Sequence, residues 1–76
     1  MKFYGTMLCP DCVEAEQLRK EKNIECEYVD ITASTANLKE FLALRDNRSE
    51  FAELKAEGKI GIPCFLHEDG SITFQL

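Results

Sequence analysis

The chain has 76 residues, 45% of them hydrophobic and 30% charged, which suits one small globular domain spanning residues 1–76 and no second one. Its net charge of −5 excludes nucleic acid as a partner, because phosphate contacts need a basic face. No apolar run approaches the about 20 residues of a membrane span. Met1 to Gly5 carries no basic region or apolar leader. The expected compartment is therefore the cytoplasm, where a CxxC pair is catalytic rather than a structural staple.

Lys2 to Tyr4 is short and apolar and reads as a central strand. Gly5-Thr6-Met7-Leu8 then carries the chain to Cys9-Pro10-Asp11-Cys12. Met7 and Leu8 are expected at the surface beside Cys9, either as an apolar lip for a partner or as local packing. Val13 to Lys22 reads as a helix. Asp11, Glu14 and Glu16 lie early in it, and Arg19, Lys20 and Lys22 late, as the helix dipole prefers. Glu16 and Lys20 make a favourable i,i+4 pair, and Asn23 is placed to end the helix.

Strand, tight turn with two thiols, then helix is the setting in which CxxC signals redox chemistry. A helix start has unpaired N–H groups and a partial positive charge, which favour the thiolate that attacks disulfides. Pro10 sits where a missing N–H costs nothing. Cys9 is therefore read as the exposed nucleophile and Cys12, one turn in, as the resolving thiol. A zinc knuckle is the competing reading, but it wants a second close pair, and Cys26 and Cys64 stand alone.

Ile24 to Tyr28 alternates apolar and polar residues, Val29-Asp30-Ile31 follows, and the stretch reads as a second strand, closing a right-handed parallel βαβ unit. Cys26, in phase with Ile24 and Tyr28, reads as a small buried hydrophobe. Thr32 to Thr35 offers helix caps, and Leu38, Phe41 and Leu42 form the apolar stripe of a second helix. Asn47 with Glu50 reads as a capping box opening a further helical segment, with Phe51 and Leu54 on its apolar face and Gly58 as its stop.

Lys59 to Leu66 reads as a loop entering a strand, with Pro63 at the first strand position. Asp69-Gly70 marks a hairpin turn flanked by His67, a surface residue. The return strand, Ser71 to Leu76, places Ile72, Phe74 and Leu76 on one face. Cys64 reads as a core residue sharing a face with Leu66. The alternative makes it a third redox thiol on the side of Cys9.

Taken together, the CPxC after a first strand, Gly61-Ile62-Pro63-Cys64-Phe65 before a third, and a hairpin after it resemble the glutaredoxins of the thioredoxin-fold superfamily. The resemblance spans essentially the whole chain. It implies an α/β fold, β-α-β-α-β-β, with a four-stranded mixed sheet ordered second-first-third-fourth. It implies that Cys9 attacks and Cys12 resolves. Ile62–Pro63 would be a cis peptide facing Cys9, with Met7, Leu8, Pro10, Ile62 and Pro63 contacting substrate. The implied activity is reduction of protein or glutathione mixed disulfides without a bound cofactor. Glutathione or a thioredoxin-reductase-type flavoprotein would return the electrons. The alternative function is a non-catalytic metal or iron–sulfur module using the same two cysteines, Cys9 and Cys12, with or without Cys64.

Three features depart from the family pattern. Asp11 stands between Pro10 and Cys12, where an aromatic residue is usual. Gly5 to Leu8 holds no Lys or Arg for a glutathione carboxylate. No Gly-Gly and acidic motif and no closing C-terminal helix follow the last strand. An acidic protein without these parts is a poor host for anionic glutathione. A carboxylate beside Cys9 disfavours its thiolate and makes the dithiol more reducing. The lacking helix is expected to expose Ile72, Phe74 or Leu76 and so to favour a homodimer.

Overall fold

The computed structural model describes residues 1–76. It is an α/β fold of four strands and three helices. Strand β1 is Lys2–Gly5, helix α1 Pro10–Glu21, strand β2 Glu27–Asp30 and helix α2 Thr35–Asn47. A 3-10 turn at Ser49–Phe51 leads into helix α3, Ala52–Ala56, and the hairpin of β3, Cys64–Leu66, and β4, Ile72–Thr73, completes the chain. The mixed sheet runs β2-β1-β3-β4, as expected, with β1 parallel to β2 and antiparallel to β3. No helix is long and apolar enough to cross a membrane.

Alternation along the strands divides the core into two layers. Tyr4, Val29, Ile31, Cys64 and Ile72 point to one face, where Phe41 of α2 and Phe51 complete the cluster. Phe3 and Phe65 point to the other, where they meet Cys12 of α1. Strand register decides these sides, since Tyr4 pairs with Cys64 and Phe3 with Phe65. Tyr4 also donates its hydroxyl to Glu40 at 2.6 Å, and Lys2 reaches the same oxygen at 3.1 Å. This links β1 to α2 and holds the Glu40 carboxyl below its ordinary range, the Tyr4 bond first and the Lys2 bond next.

The helix ends follow local chemistry. Helix α1 starts three residues before the expected Val13, because Pro10 takes the first helical position and Cys9 the N-cap. It ends at Asn23, whose φ of 53° is left-handed, with Ile24 N–H donating to Arg19 C=O at 3.0 Å and Asn23 N–H to Lys20 C=O at 3.2 Å. Gly58, at φ 75°, ends α3 in the same way. Ser34 caps α2, its hydroxyl accepting the Asn37 N–H at 3.1 Å.

Several expectations are corrected. Asn47 does not open a capping box: it is the last residue of α2 and donates its amide to Ala43 C=O at 2.7 Å. Strand β2 is confined to Glu27–Asp30, and its buried phase is Val29 with Ile31 rather than Cys26 with Tyr28. Cys26 is half-buried and Tyr28 exposed. Strand β4 ends at Thr73, so Leu76 leaves the phase of Ile72 and Phe74 and packs in the α1 layer instead. The apolar patch expected at the C-terminal hairpin is absent. Ile72 is buried and Phe74 and Leu76 are half-buried. His67 has a partner that its sequence position hid, since Nε2 lies 2.8 Å from Thr73 Oγ1 across the hairpin.

Candidate functional site

The end of β1 and the start of α1 place the two thiols. Thr6 is buried, and its carbonyl accepts the Cys9 N–H at 3.1 Å, closing the turn between strand and helix. Its hydroxyl lies 3.1 Å from Thr32 Oγ1 and accepts the Leu8 N–H at 3.3 Å. Thr32 is held in turn by Asp30, whose carboxylate accepts its N–H at 2.9 Å and its hydroxyl at 2.7 Å. Tyr28 packs on Phe3 with ring centroids 5.3 Å apart. The Thr6, Thr32 and Asp30 bonds therefore fix the loop before the thiols.

Cys9 is half-buried and Cys12 fully buried, and both are free thiols. The Cys9 carbonyl accepts the N–H groups of Cys12 at 3.0 Å and Val13 at 3.1 Å, so α1 begins at Cys9. Its side chain does not cap the helix, which leaves the thiol free to face outward. Burial pushes the Cys12 thiol up to about 12, against a hydrogen bond from the Thr6 backbone. The hydrogen bond and charge of the neighbouring Cys9 push it further up. Cys12 is also the one buried residue of α1, so the inner thiol anchors the helix to the sheet.

The closeness of that contact explains Gly5. A Cβ there would stand 2.8 Å from Cys12 Sγ and 2.9 Å from Phe3 Cε1. Both neighbours are fully buried and have nowhere to move. Gly5→Ala is expected to destabilise the fold by about 1–3 kcal/mol, the usual range for overpacking. A urea midpoint unchanged from the parent would contradict this packing.

Cys9 opens on a groove of about 820 Å³. One wall is α1, with Asp11, Glu14, Ala15 and Leu18. The other is the loop Gly58–Pro63, and Leu54, Phe74 and Leu76 also line it. Ile62–Pro63 is a cis peptide and lines the same groove as Cys9. The loop is held by Arg45 of α2, which donates to the carbonyls of Ile60 at 2.7 Å and Lys59 at 2.9 Å. Gly61 has φ 99° and packs on the ring of Phe51 so closely that a Cβ would come within 2.8 Å of it. Met7 and Leu8 are exposed beside the thiol, Leu8 at 82%, and Ile60 is 57% exposed on the opposite wall.

Cys64 does not join this site. It faces the α2 layer, on the other side of the sheet from Cys12, and burial pushes its thiol up to about 12. That corrects the alternative placement beside Cys9. It also separates Cys64 from the cysteines with which a three-thiol metal site was considered, and no group of three or more His, Cys, Asp and Glu side chains converges anywhere in the fold. Arg45, Thr6, Tyr28 and Lys59 were not singled out from sequence. The contacts that bring Arg45, Thr6 and Tyr28 to the site are with Ile60, Thr32 and Phe3, distant in the chain, and no local pattern marks them.

No known protein-family model and no solved structure matches the chain. It is similar to an uncharacterized protein of Haemophilus influenzae, with 35% identity over 74 residues that cover 97% of this chain and 85% of the relative. At that identity and coverage, the chain belongs to the same family as the Haemophilus influenzae protein.

Proposed function

We propose that the protein is a thiol–disulfide oxidoreductase with a thioredoxin-like, glutaredoxin-type fold. The observation that carries this reading is the CxxC geometry. A half-buried thiol stands at a helix N-cap, open to a groove, with a buried free thiol one turn behind it. The strand order β2-β1-β3-β4 and the cis proline across the groove support the same reading.

In the proposed reaction the Cys9 thiolate attacks one sulfur of a substrate disulfide. A Cys9–substrate disulfide forms and the other substrate sulfur leaves as a thiolate, which takes up a proton. Cys12 loses its proton and attacks Cys9 Sγ, releasing the second substrate thiol and leaving a Cys9–Cys12 disulfide. Two thiols are oxidised and one disulfide is reduced, and an external thiol or dithiol resets the pair. The electrostatics order these steps. While Cys9 carries a free thiol, its hydrogen bond and charge hold the Cys12 proton on. Once Cys9 is tied to substrate, those two effects vanish; burial and the charge of Asp11 still hold the proton on, so the Cys12 thiolate becomes easier to form but is not favoured outright.

A redox titration in glutathione buffers, read by thiol alkylation and mass spectrometry, tests the reading. The expected result is a two-electron loss confined to Cys9 and Cys12. The midpoint should fall nearer about −270 mV than the about −200 to −230 mV of glutaredoxins, because burial and, to a smaller extent, the charge of Asp11 disfavour the Cys12 thiolate. Lys59 shares the groove and feels the charge of Asp11, but Glu57 binds it at 2.9 Å. Asp11→Tyr should raise the midpoint by about 10–30 mV, a few-fold to tenfold in the exchange constant. If neither Cys9 nor Cys12 oxidises, the redox reading fails.

A further inference from the structure

We infer that the groove selects disulfides bearing positive charge next to the sulfur, such as those flanked by Lys or Arg in a peptide. This rests on the proposed oxidoreductase reading and adds its substrate class.

The ionisable side chains lining the groove, apart from Cys9, are Asp11, Glu14 and Lys59. Asp11 and Glu14 project from the first turns of α1, one on each side of Cys12 in sequence. Both are exposed, and neither makes an ion pair within the protein. Lys59 is the one cation on the opposite wall, and Glu57 holds it at 2.9 Å. That pair leaves Asp11 and Glu14 without a direct ion-pair partner beside the attacking thiol, and of these two Lys59 feels only the charge of Asp11 across the groove. The partial positive charge of the helix N-terminus works the other way, but Asp11 already sits in that first turn. The floor between the walls is apolar, with Ala15, Leu18, Leu54 and Ile62. A groove that is negative on its rim and apolar on its floor raises the local concentration of cationic ligands and disfavours anionic ones. The protein's net charge of −5 adds to the same bias at longer range.

The test uses three small disulfides: cystamine, a dication; bis(2-hydroxyethyl) disulfide, neutral; and dithiodiglycolate, a dianion. Each is reduced by the full-length protein with dithiothreitol as the resetting dithiol, after subtraction of the uncatalysed rate. Intrinsic reactivities differ, so the readout is how the cystamine-to-dithiodiglycolate ratio of kcat/KM changes on substitution. In about 20 mM salt that ratio should be about tenfold higher for the parent than for the Asp11→Asn, Glu14→Gln double variant. The difference should fall below about twofold in about 0.5 M salt, where screening shortens the reach of exposed charges to a few Å. Lys59→Gln should move the ratio the opposite way from the double variant. Reduction of all three probes with a ratio indifferent to both substitution and salt overturns the charge selection and leaves the oxidoreductase reading standing. Failure to reduce any of them overturns both.

Discussion

Cys9→Ser is expected to abolish disulfide reduction, a loss on the order of a thousandfold or more, because a serine hydroxyl is not ionised at neutral pH and is a weak nucleophile without a base. Cys12→Ser should behave differently. Cys9 keeps its place at the N-cap and its access to the groove, so the first attack survives while the release step is lost. Incubation with a disulfide-bonded peptide should then accumulate a covalent Cys9–peptide species, visible as a mass increase that dithiothreitol removes. The serine hydroxyl replaces a fully buried thiol with a side chain of nearly the same shape, so the variant keeps the packing of α1 on the sheet. The two substitutions separate the roles. Equal loss with no trapped adduct would deny the division into attacking and resolving thiols. Trapping on Cys12 in the Cys9→Ser protein would invert it. Iodoacetamide gives an independent check, because Cys12 and Cys64 are fully buried and, of the two half-buried thiols, Cys9 stands at a helix N-cap on the groove while burial pushes the Cys26 thiol up, so alkylation of the native protein should begin at Cys9.

The parts of this site that could be read from the sequence are the ones set by neighbours in the chain. Pro10 and the dipole-ordered charges of α1 mark a helix start at the thiols, and Asn23 and Gly58 mark helix ends through their left-handed backbones. The parts that escaped are set by register and by contacts across the fold. Whether Cys64 faces Cys12 depends on its pairing with Tyr4, since one step along β3 turns a side chain to the other face. Alternation in Ile24 to Tyr28 suggested the wrong buried phase, because the chain joins the sheet only at Glu27, where the parallel ladder with Lys2 begins. The hold of Arg45 on the Lys59 and Ile60 carbonyls spans 14 and 15 positions, and nothing local distinguishes that arginine from one on a solvated face. Lys59 illustrates the same limit for charge: no basic residue lies near Cys9 in the chain, yet the fold brings one to the opposite wall of its groove.

Phe51→Ala is expected to have the largest effect on stability, about 3–5 kcal/mol, the range for emptying a buried aromatic position. A domain of this size sits toward the lower end of the about 5–15 kcal/mol typical of native proteins, so the variant should lose most of its cooperative transition. The ring is fully buried at the junction of three features. It meets Phe41 of α2 edge-on at 5.9 Å and Phe74 edge-on at 5.1 Å, which joins the helical layer to the chain after β4. On its third side Gly61 packs against Cδ1 and Cε1, so the ring is also the floor on which the Ile62–Pro63 loop rests. Truncation leaves a cavity beneath that loop, which the Arg45 bonds and the Lys59 N–H bond to the Leu54 carbonyl must then hold. Phe51→Leu refills much of the space and should cost only about 1–1.5 kcal/mol, so it stays folded and reports on the loop. In that variant kcat/KM for a disulfide peptide should fall several-fold, with KM rising more than kcat falls, because the loop forms a wall of the groove rather than the attacking thiol. A urea midpoint for Phe51→Ala within about 0.5 kcal/mol of the parent would show that the aromatic cluster is not what holds the two layers together. A Phe51→Leu protein with unchanged KM would show that the groove wall does not depend on it.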